Sequence, residues 1–173
     1  VSNFPYPLFK QKGAGKELWM TEVYTDSDND ADLWPMASDV SYHMHNAMVE
    51  AEFSTYVWWY IRRRYSPIKE DGNISKRGYC FAQFSKFVRP GYIRVDATKN
   101  PTTDVYVSAY KKGDDVVVIA INRSTSSKTI TISVPGTKVT TWEKHVTSGS
   151  KNLAKEANIN STTGSFQITL DPQ

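Results

Sequence analysis

Apolar and polar positions follow two different rhythms along the chain. Up to Arg89-Pro90-Gly91, short apolar runs alternate with stretches whose apolar residues recur three or four apart. Beyond it, brief runs of Val, Ile and Thr are separated by Gly, Pro, Asn and Ser. The first rhythm is the βα pattern of a parallel sheet and the second is antiparallel all-β. The pattern predicts a strand over 18–23, an apolar run bounded by loop signals, and a loop over 25–32 carrying four aspartates. A helix follows with Pro35 in its first turn and Val40, Met44, Ala47, Met48 and Ala51 on one face. A second strand over 56–61 is apolar on both faces. A second helix over about 75–88 has Cys80, Phe84, Phe87 and Val88 as its core stripe, and Pro90-Gly91 stops it.

In the second half, Val105, Val107 and Ala109 alternate with other residues. Lys112-Gly113-Asp114 turns the chain, and Val116, Val118 and Ala120 return it. Further strands are predicted near 93–96, 129–134, 139–144 and 166–170, sandwich or barrel material of about 80 residues. Two βα units fall well short of a parallel barrel, which takes roughly 250 residues, and they leave one edge of the first strand uncovered. The expected architecture is therefore α/β plus all-β. Residues 1–91 form the last βα units of a (β/α)8 barrel, and residues 92–173 an antiparallel β-sandwich side domain. The opening Val1-Ser2-Asn3-Phe4-Pro5 reads as an entry into the middle of a longer fold.

Composition narrows the function. The 173 residues carry a formal charge of +3, and their basic residues are scattered except at Arg62-Arg63-Arg64 and Lys76-Arg77. That distribution argues against nucleic acid. No apolar run approaches the roughly 20 residues of a membrane span. The single cysteine, Cys80, excludes an internal disulfide and reads as a small core residue. Asp26-Ser27-Asp28-Asn29-Asp30 lacks the Gly and distal Glu of a helix–loop–helix calcium loop. His43 and His45, two apart on a helix, point to different sides and do not share a metal. No metal or cofactor is expected. Asn73, Asn122 and Asn160 begin glycosylation acceptor patterns, which are common by chance.

Candidate chemistry centres on the first strand. In parallel barrels, groups at the C-terminal ends of strands face substrate, and Glu22 sits at that end while Glu17 sits at the other. At strand rise the two are about 16 Å apart, too far to work as one pair. Only Glu22 is placed for chemistry, although from these residues alone a glutamate that faces water or pairs with a base is the slightly better reading.

Longer blocks carry more. Lys16-Glu17-Leu18-Trp19-Met20-Thr21-Glu22-Val23-Tyr24, Asn46-Ala47-Met48-Val49-Glu50, Tyr56-Val57-Trp58-Trp59-Tyr60-Ile61-Arg62-Arg63, Ile74-Ser75-Lys76-Arg77-Gly78-Tyr79 and Phe84-Ser85-Lys86-Phe87-Val88-Arg89-Pro90-Gly91 resemble the bacterial glucuronoxylanases of glycoside hydrolase family 30. The resemblance covers nearly the whole chain and implies a secreted, extracellular, retaining endo-β-1,4-xylanase with a (β/α)8 barrel and an attached β-sandwich. It makes 18–23 the seventh barrel strand and Glu22 the catalytic nucleophile, with the acid/base on an upstream part of the barrel. It further implies that Arg63 binds the carboxylate of a glucuronate branch with Tyr65 as its hydroxyl partner. Tyr24 and Ser27 contact the same sugar, and Trp59 stacks under the scissile residue. The expected partners are glucuronoxylan and the upstream barrel, and this chain alone is expected to be inactive. Alternation along an extended chain is expected to point Arg63 away from Arg62 and Arg64. Arg64 and Ser66-Pro67 depart from the family's pattern at the uronate pocket. The alternatives are a freestanding carbohydrate-binding or interaction module, or a same-clan glycosidase acting on unbranched xylan. The block around Arg63 and Tyr65 favours branched xylan.

Overall fold

The computed structural model describes residues 5–24 and 30–173. The chain divides into two compact units, 1–81 and 82–173, at a point inside a helix. The sequence changes its rhythm a little later, at Arg89-Pro90-Gly91.

The first unit holds a two-stranded parallel sheet. Strand β1 (Trp19–Val23) pairs with β2 (Thr55–Trp58) in the register Trp19–Thr55, Met20–Tyr56 and Val23–Trp58, with an irregularity between the last two pairs. The second strand is shorter than the predicted 56–61. Its ladder reaches one residue further, through the Trp59 N–H donating to Val23 O at 2.7 Å. Trp59, Tyr60 and Ile61 then leave the sheet, all exposed. The expected burial on both faces is not met either: Val57 is 45% exposed and Trp58 only 8%.

Between the strands, Pro35 caps a single 3-10 turn (Met36–Ser38), and α2 (Asp39–Val49) follows. It buries Val40, Met44 and Ala47, and Ala51 is buried just past its end; Met48 is half-buried. His45 is almost wholly buried while His43 is partly exposed, as two positions on different helix sides require. Among the described residues no group of three potential metal ligands occurs. No helix there is long and apolar enough to cross a membrane.

Helix α1 (Tyr6–Lys12), which opens with a proline in its first turn, was not legible. It buries only Tyr6 and leaves Leu8 and Phe9 largely exposed, so it carries no apolar stripe to read. Tyr6 joins Ala47, Ala51 and Phe53 in a core against which Leu18, Met20 and Tyr56 pack. Burial, with a smaller contribution from Tyr42, pushes the Tyr6 hydroxyl up to about 12.

Helix α3 (Lys76–Ser85) is shorter than the predicted 75–88. Of the predicted stripe, Cys80 and Phe84 are buried in the helix, and Phe87 and Val88 lie past its end in a turn closed by the Val88 N–H on Phe84 O. Burial pushes the Cys80 thiol up to about 12, which fits an inert core residue.

The second unit is antiparallel. Strands β3 (Ile93–Val95), β4 (Val105–Lys112) and β5 (Asp115–Asn122) form one sheet, with Lys112 opposite Asp115 across the predicted turn. Gly113 takes φ +59° there, a left-handed conformation glycine adopts without penalty. Strands β6 (Lys128–Ser133) and β11 (Ser165–Leu170) form a second sheet. Val105 and Val107 of the first sheet and Ile130 and Ile132 of the second share one core. The predicted 139–144 strand reduces to β7 (Thr141–Trp142), paired with β10 (Ile159–Asn160). The pair β8 (His145–Val146) and β9 (Ala154–Lys155) was not foreseen. Ion pairs accompany these two-residue strands: Lys144 and Lys151 both reach Glu156, and Lys151 also reaches Asp171.

Candidate active site at the ends of two parallel strands

Val23 and Trp58 face each other as the last pair of the parallel sheet. Glu22 stands one residue before that pair and Trp59 one residue after it, so both leave neighbouring strands at the same end. Glu17 precedes β1 at the opposite end. Glu22 is exposed, and among the described residues its carboxylate has no hydrogen-bond or ion-pair partner. Tyr24 follows β1 and is 47% exposed. Ser27 lies outside the described residues.

The chain beyond β2 is a compact loop. The Arg63 N–H donates to Ile68 O at 3.1 Å, and the Ser66 N–H to Arg63 O at 3.0 Å, closing a turn. Arg62 to Arg64 is therefore not an extended run, and the expected alternation fails. Arg62 and Arg63 both meet Glu70: Arg62 Nε lies 4.0 Å from one carboxylate oxygen and Arg63 Nη1 4.0 Å from the other. The Arg62 guanidinium also donates to the Glu70 main-chain oxygen. Glu70 sits on a tight turn, where Gly72 takes φ +86° and Asp71 accepts hydrogen bonds from the Asn73 main chain and side chain. The Arg63 guanidinium carbon lies 4.3 Å from the centroid of the Tyr60 ring.

Below this surface the loop is tied down by residues that the sequence reading passed over. The basic pair Lys76-Arg77 is buried. Arg77 Nη1 donates to Tyr65 O at 2.9 Å, and its N–H donates to Ala31 O at 3.0 Å. The Ala31 N–H in turn reaches Arg64 O at 3.3 Å, so the loops after β1 and β2 are laced together. Burial lowers the Arg77 pKa against the attraction of Asp39 and Asp30. An arginine remains charged under such a shift. Asp32 accepts from Lys69 Nζ at 2.8 Å and from the Lys76 N–H at 2.7 Å, at the start of α3. Burial raises its carboxyl, but those hydrogen bonds and the two lysine charges outweigh it and hold Asp32 below the usual range.

Ser75 caps α3. Its Oγ accepts the Gly78 N–H at 3.0 Å and donates to Ser66 O at 2.6 Å. Gly78 has no room for a side chain: a Cβ there would lie 2.2 Å from Pro67 O. Helix and loop therefore touch backbone to backbone, and Tyr65 is carried on a rigid base. The signal for this was present in Ile74-Ser75-Lys76-Arg77-Gly78, as a serine cap with a glycine three residues later.

The arrangement offers an unpartnered carboxylate, an exposed indole and a half-exposed guanidinium, with Tyr24 and Tyr65 on the two loops. Carbohydrate faces rest on aromatic rings, and a guanidinium suits a carboxylate.

No family model matches the chain. Two curated relatives, both named glucuronoxylanase XynC and both from Bacillus subtilis, align with the whole chain. One, from strain 168, is 57% identical over 175 residues and the other 54%. The chain spans about two fifths of their length, 42% and 41%. Among solved structures, a GH30 endoxylanase from Clostridium papyrosolvens C71 matches 96% of this chain and 42% of its own length. Its TM-score is 0.86 at 41% identity. A glycoside hydrolase family 30 subfamily 8 xylanase, Xyn30A, from Clostridium acetobutylicum matches 99% and 44%, with a TM-score of 0.81 at 33% identity. From end to end, this chain is thus a sequence and structural relative of the glucuronoxylanases of glycoside hydrolase family 30, equivalent to about two fifths of such a protein.

Proposed function

We propose that the chain is the C-terminal portion of a secreted, extracellular bacterial endo-β-1,4-xylanase that cleaves glucuronate-branched xylan with retention. Its first 91 residues are the seventh and eighth strands of a (β/α)8 barrel with their helices, and the rest is a β-sandwich side domain. Glu22 is the nucleophile that carries the covalent glycosyl intermediate. Trp59 supports the sugar at the scissile bond. Arg63, with Tyr65, Tyr24 and Ser27, receives the uronate branch.

The observation that supports this reading most is the shared exit of Glu22 and Trp59 from two parallel strands, in a chain so similar to glucuronoxylanases. Retaining hydrolysis needs a second carboxyl group about 5 Å from the nucleophile. The described candidates are engaged or remote: Asp32 serves Lys69 and Lys76, Glu70 faces two arginines, and Glu17 lies at the far end of β1. The acid/base comes from the upstream barrel, which also covers the exposed Trp19 and the free edge of β1. The chain alone does not hydrolyse xylan.

The test compares Arg63→Ala with the parent enzyme, upstream barrel included, on glucuronoxylan and on unsubstituted xylan. Loss of a charge-assisted paired contact lowers kcat/KM on the branched substrate about 30- to 150-fold and leaves the other nearly unchanged. Equal losses on both substrates, or a larger loss from Arg62→Ala, contradict the assignment.

A further inference from the structure

Arg63 ends a short stack of side chains. Its guanidinium carbon is 4.3 Å from the centroid of the Tyr60 ring, and the Tyr60 and Trp59 ring centroids are 4.2 Å apart with planes inclined by 38°. Tyr60 therefore touches both the indole and the cation. It belongs to neither strand: β2 has ended at Trp58, and the ring is 41% exposed. An exposed tyrosine at this spot does little for the core, so its contacts with Trp59 and Arg63 are what it contributes.

The need for such a contact follows from the arginine itself. A free arginine side chain carries about 2 kcal/mol of rotamer entropy. Binding a carboxylate with two parallel hydrogen bonds requires the guanidinium plane to be set beforehand. Glu70 meets Arg63 only at 4.0 Å and shares itself with Arg62, so it is a poor guide for that plane. The face of an aromatic ring attracts a guanidinium without occupying its edge donors, of which Arg63 Nη1 makes a long 3.4 Å bond to Arg62 O.

Building on the proposed function, we propose that Tyr60 is a positioning residue for uronate recognition. Its ring holds Arg63 beside Trp59. A sugar seated on the indole thereby presents its branch carboxylate to a guanidinium already oriented. Tyr60 touches no reacting atom and acts through Arg63.

The test uses the enzyme that carries this chain, upstream barrel included, with Tyr60→Leu and Tyr60→Phe. An exposed cation–π contact translates into a rise in KM on glucuronoxylan of about 2- to 5-fold for Tyr60→Leu. Its kcat, and both constants on unsubstituted xylan, stay at the parent values. Tyr60→Phe retains the ring and restores the parent KM. In an Arg63→Ala background Tyr60→Leu adds nothing. A change of equal size on both substrates, a Phe variant as impaired as the Leu variant, or additive losses with Arg63→Ala overturn the inference. An Arg63-dependent preference with a silent Tyr60→Leu defeats this inference alone. A parent enzyme with no preference for the branched substrate defeats the proposed function and this inference together.

Discussion

Replacing Ser75 by alanine removes one oxygen atom at the point where α3 is fastened to the loop bearing Arg63 and Tyr65. Ser75 is fully buried. Its Oγ takes the Gly78 N–H at 3.0 Å and gives its own hydrogen to Ser66 O at 2.6 Å. Pro67 O, also within 3.2 Å, keeps a separate bond from the Ser75 N–H at 3.0 Å and survives the change. Two groups lose a partner, the Gly78 N–H and the Ser66 carbonyl. Loss of a serine cap costs about 1 kcal/mol, and a buried carbonyl left unpaired costs about 1–3 kcal/mol. Together they come to roughly 2–4 kcal/mol of local stability, a factor of about 30 to 1,000 in the opening equilibrium. Native-state hydrogen exchange reads that equilibrium directly. In the enzyme carrying Ser75→Ala, the amides of Tyr79 and Cys80 should exchange faster by that factor. The Tyr79 N–H bond to Ser75 O, 3.0 Å, involves only main chain and cannot mask the effect. Exchange within about threefold of the parent would refute the claim that this one hydroxyl fastens the loop.

Glu70→Gln removes the carboxylate that stands between Arg62 and Arg63, so KM on glucuronoxylan should fall about 2- to 5-fold at low salt, with the gain fading as salt rises. A higher KM would mean that Glu70 orients Arg63 instead of competing with its ligand. Asp32 is held below its ordinary carboxyl value, so its contribution is complete above the unfolded value, about pH 4, and is lost as the pH falls through the folded one. Asp32→Asn should therefore lower stability at neutral pH and flatten its decline below about pH 4 in acid-unfolding curves. A decline as steep as the parent's contradicts that role.

The sheet, the two long helices and the β4–β5 hairpin were legible because each repeats its apolar period over several turns or pleats. Val40, Met44 and Ala47 are a clear case, as are Val105 and Val107 facing Ile130 and Ile132. What stayed hidden carries no period. Helix α1 buries a single side chain, and β8 and β9 are two residues each. The end of β2 was misjudged because Trp59, Tyr60 and Ile61 are as apolar as the strand before them, and hydrophobicity alone does not report exposure. At the candidate site, Glu22 was visible as a carboxylate ending an apolar run. Arg63 was singled out by resemblance, since three adjacent arginines look alike until a fold separates them. Arg77 was overlooked for a physical reason. Charged pairs usually face water, and the partners that hold Arg77, Tyr65 O for the guanidinium and Ala31 O for the main-chain N–H, come together only in the fold.

The central claim is that Glu22 attacks the sugar. A xylobioside carrying fluorine beside its reactive carbon and a good leaving group traps the covalent intermediate, because fluorine slows both its formation and its hydrolysis while the strong leaving group restores the rate of formation alone. The enzyme that carries this chain, treated with that inactivator and digested, should yield one peptide heavier by the fluorinated disaccharide, with fragmentation placing the mass on Glu22. Glu22→Gln should give no label. A label on Glu17 or Glu70, or an enzyme inactivated with Glu22 unmodified, would contradict the account at its root.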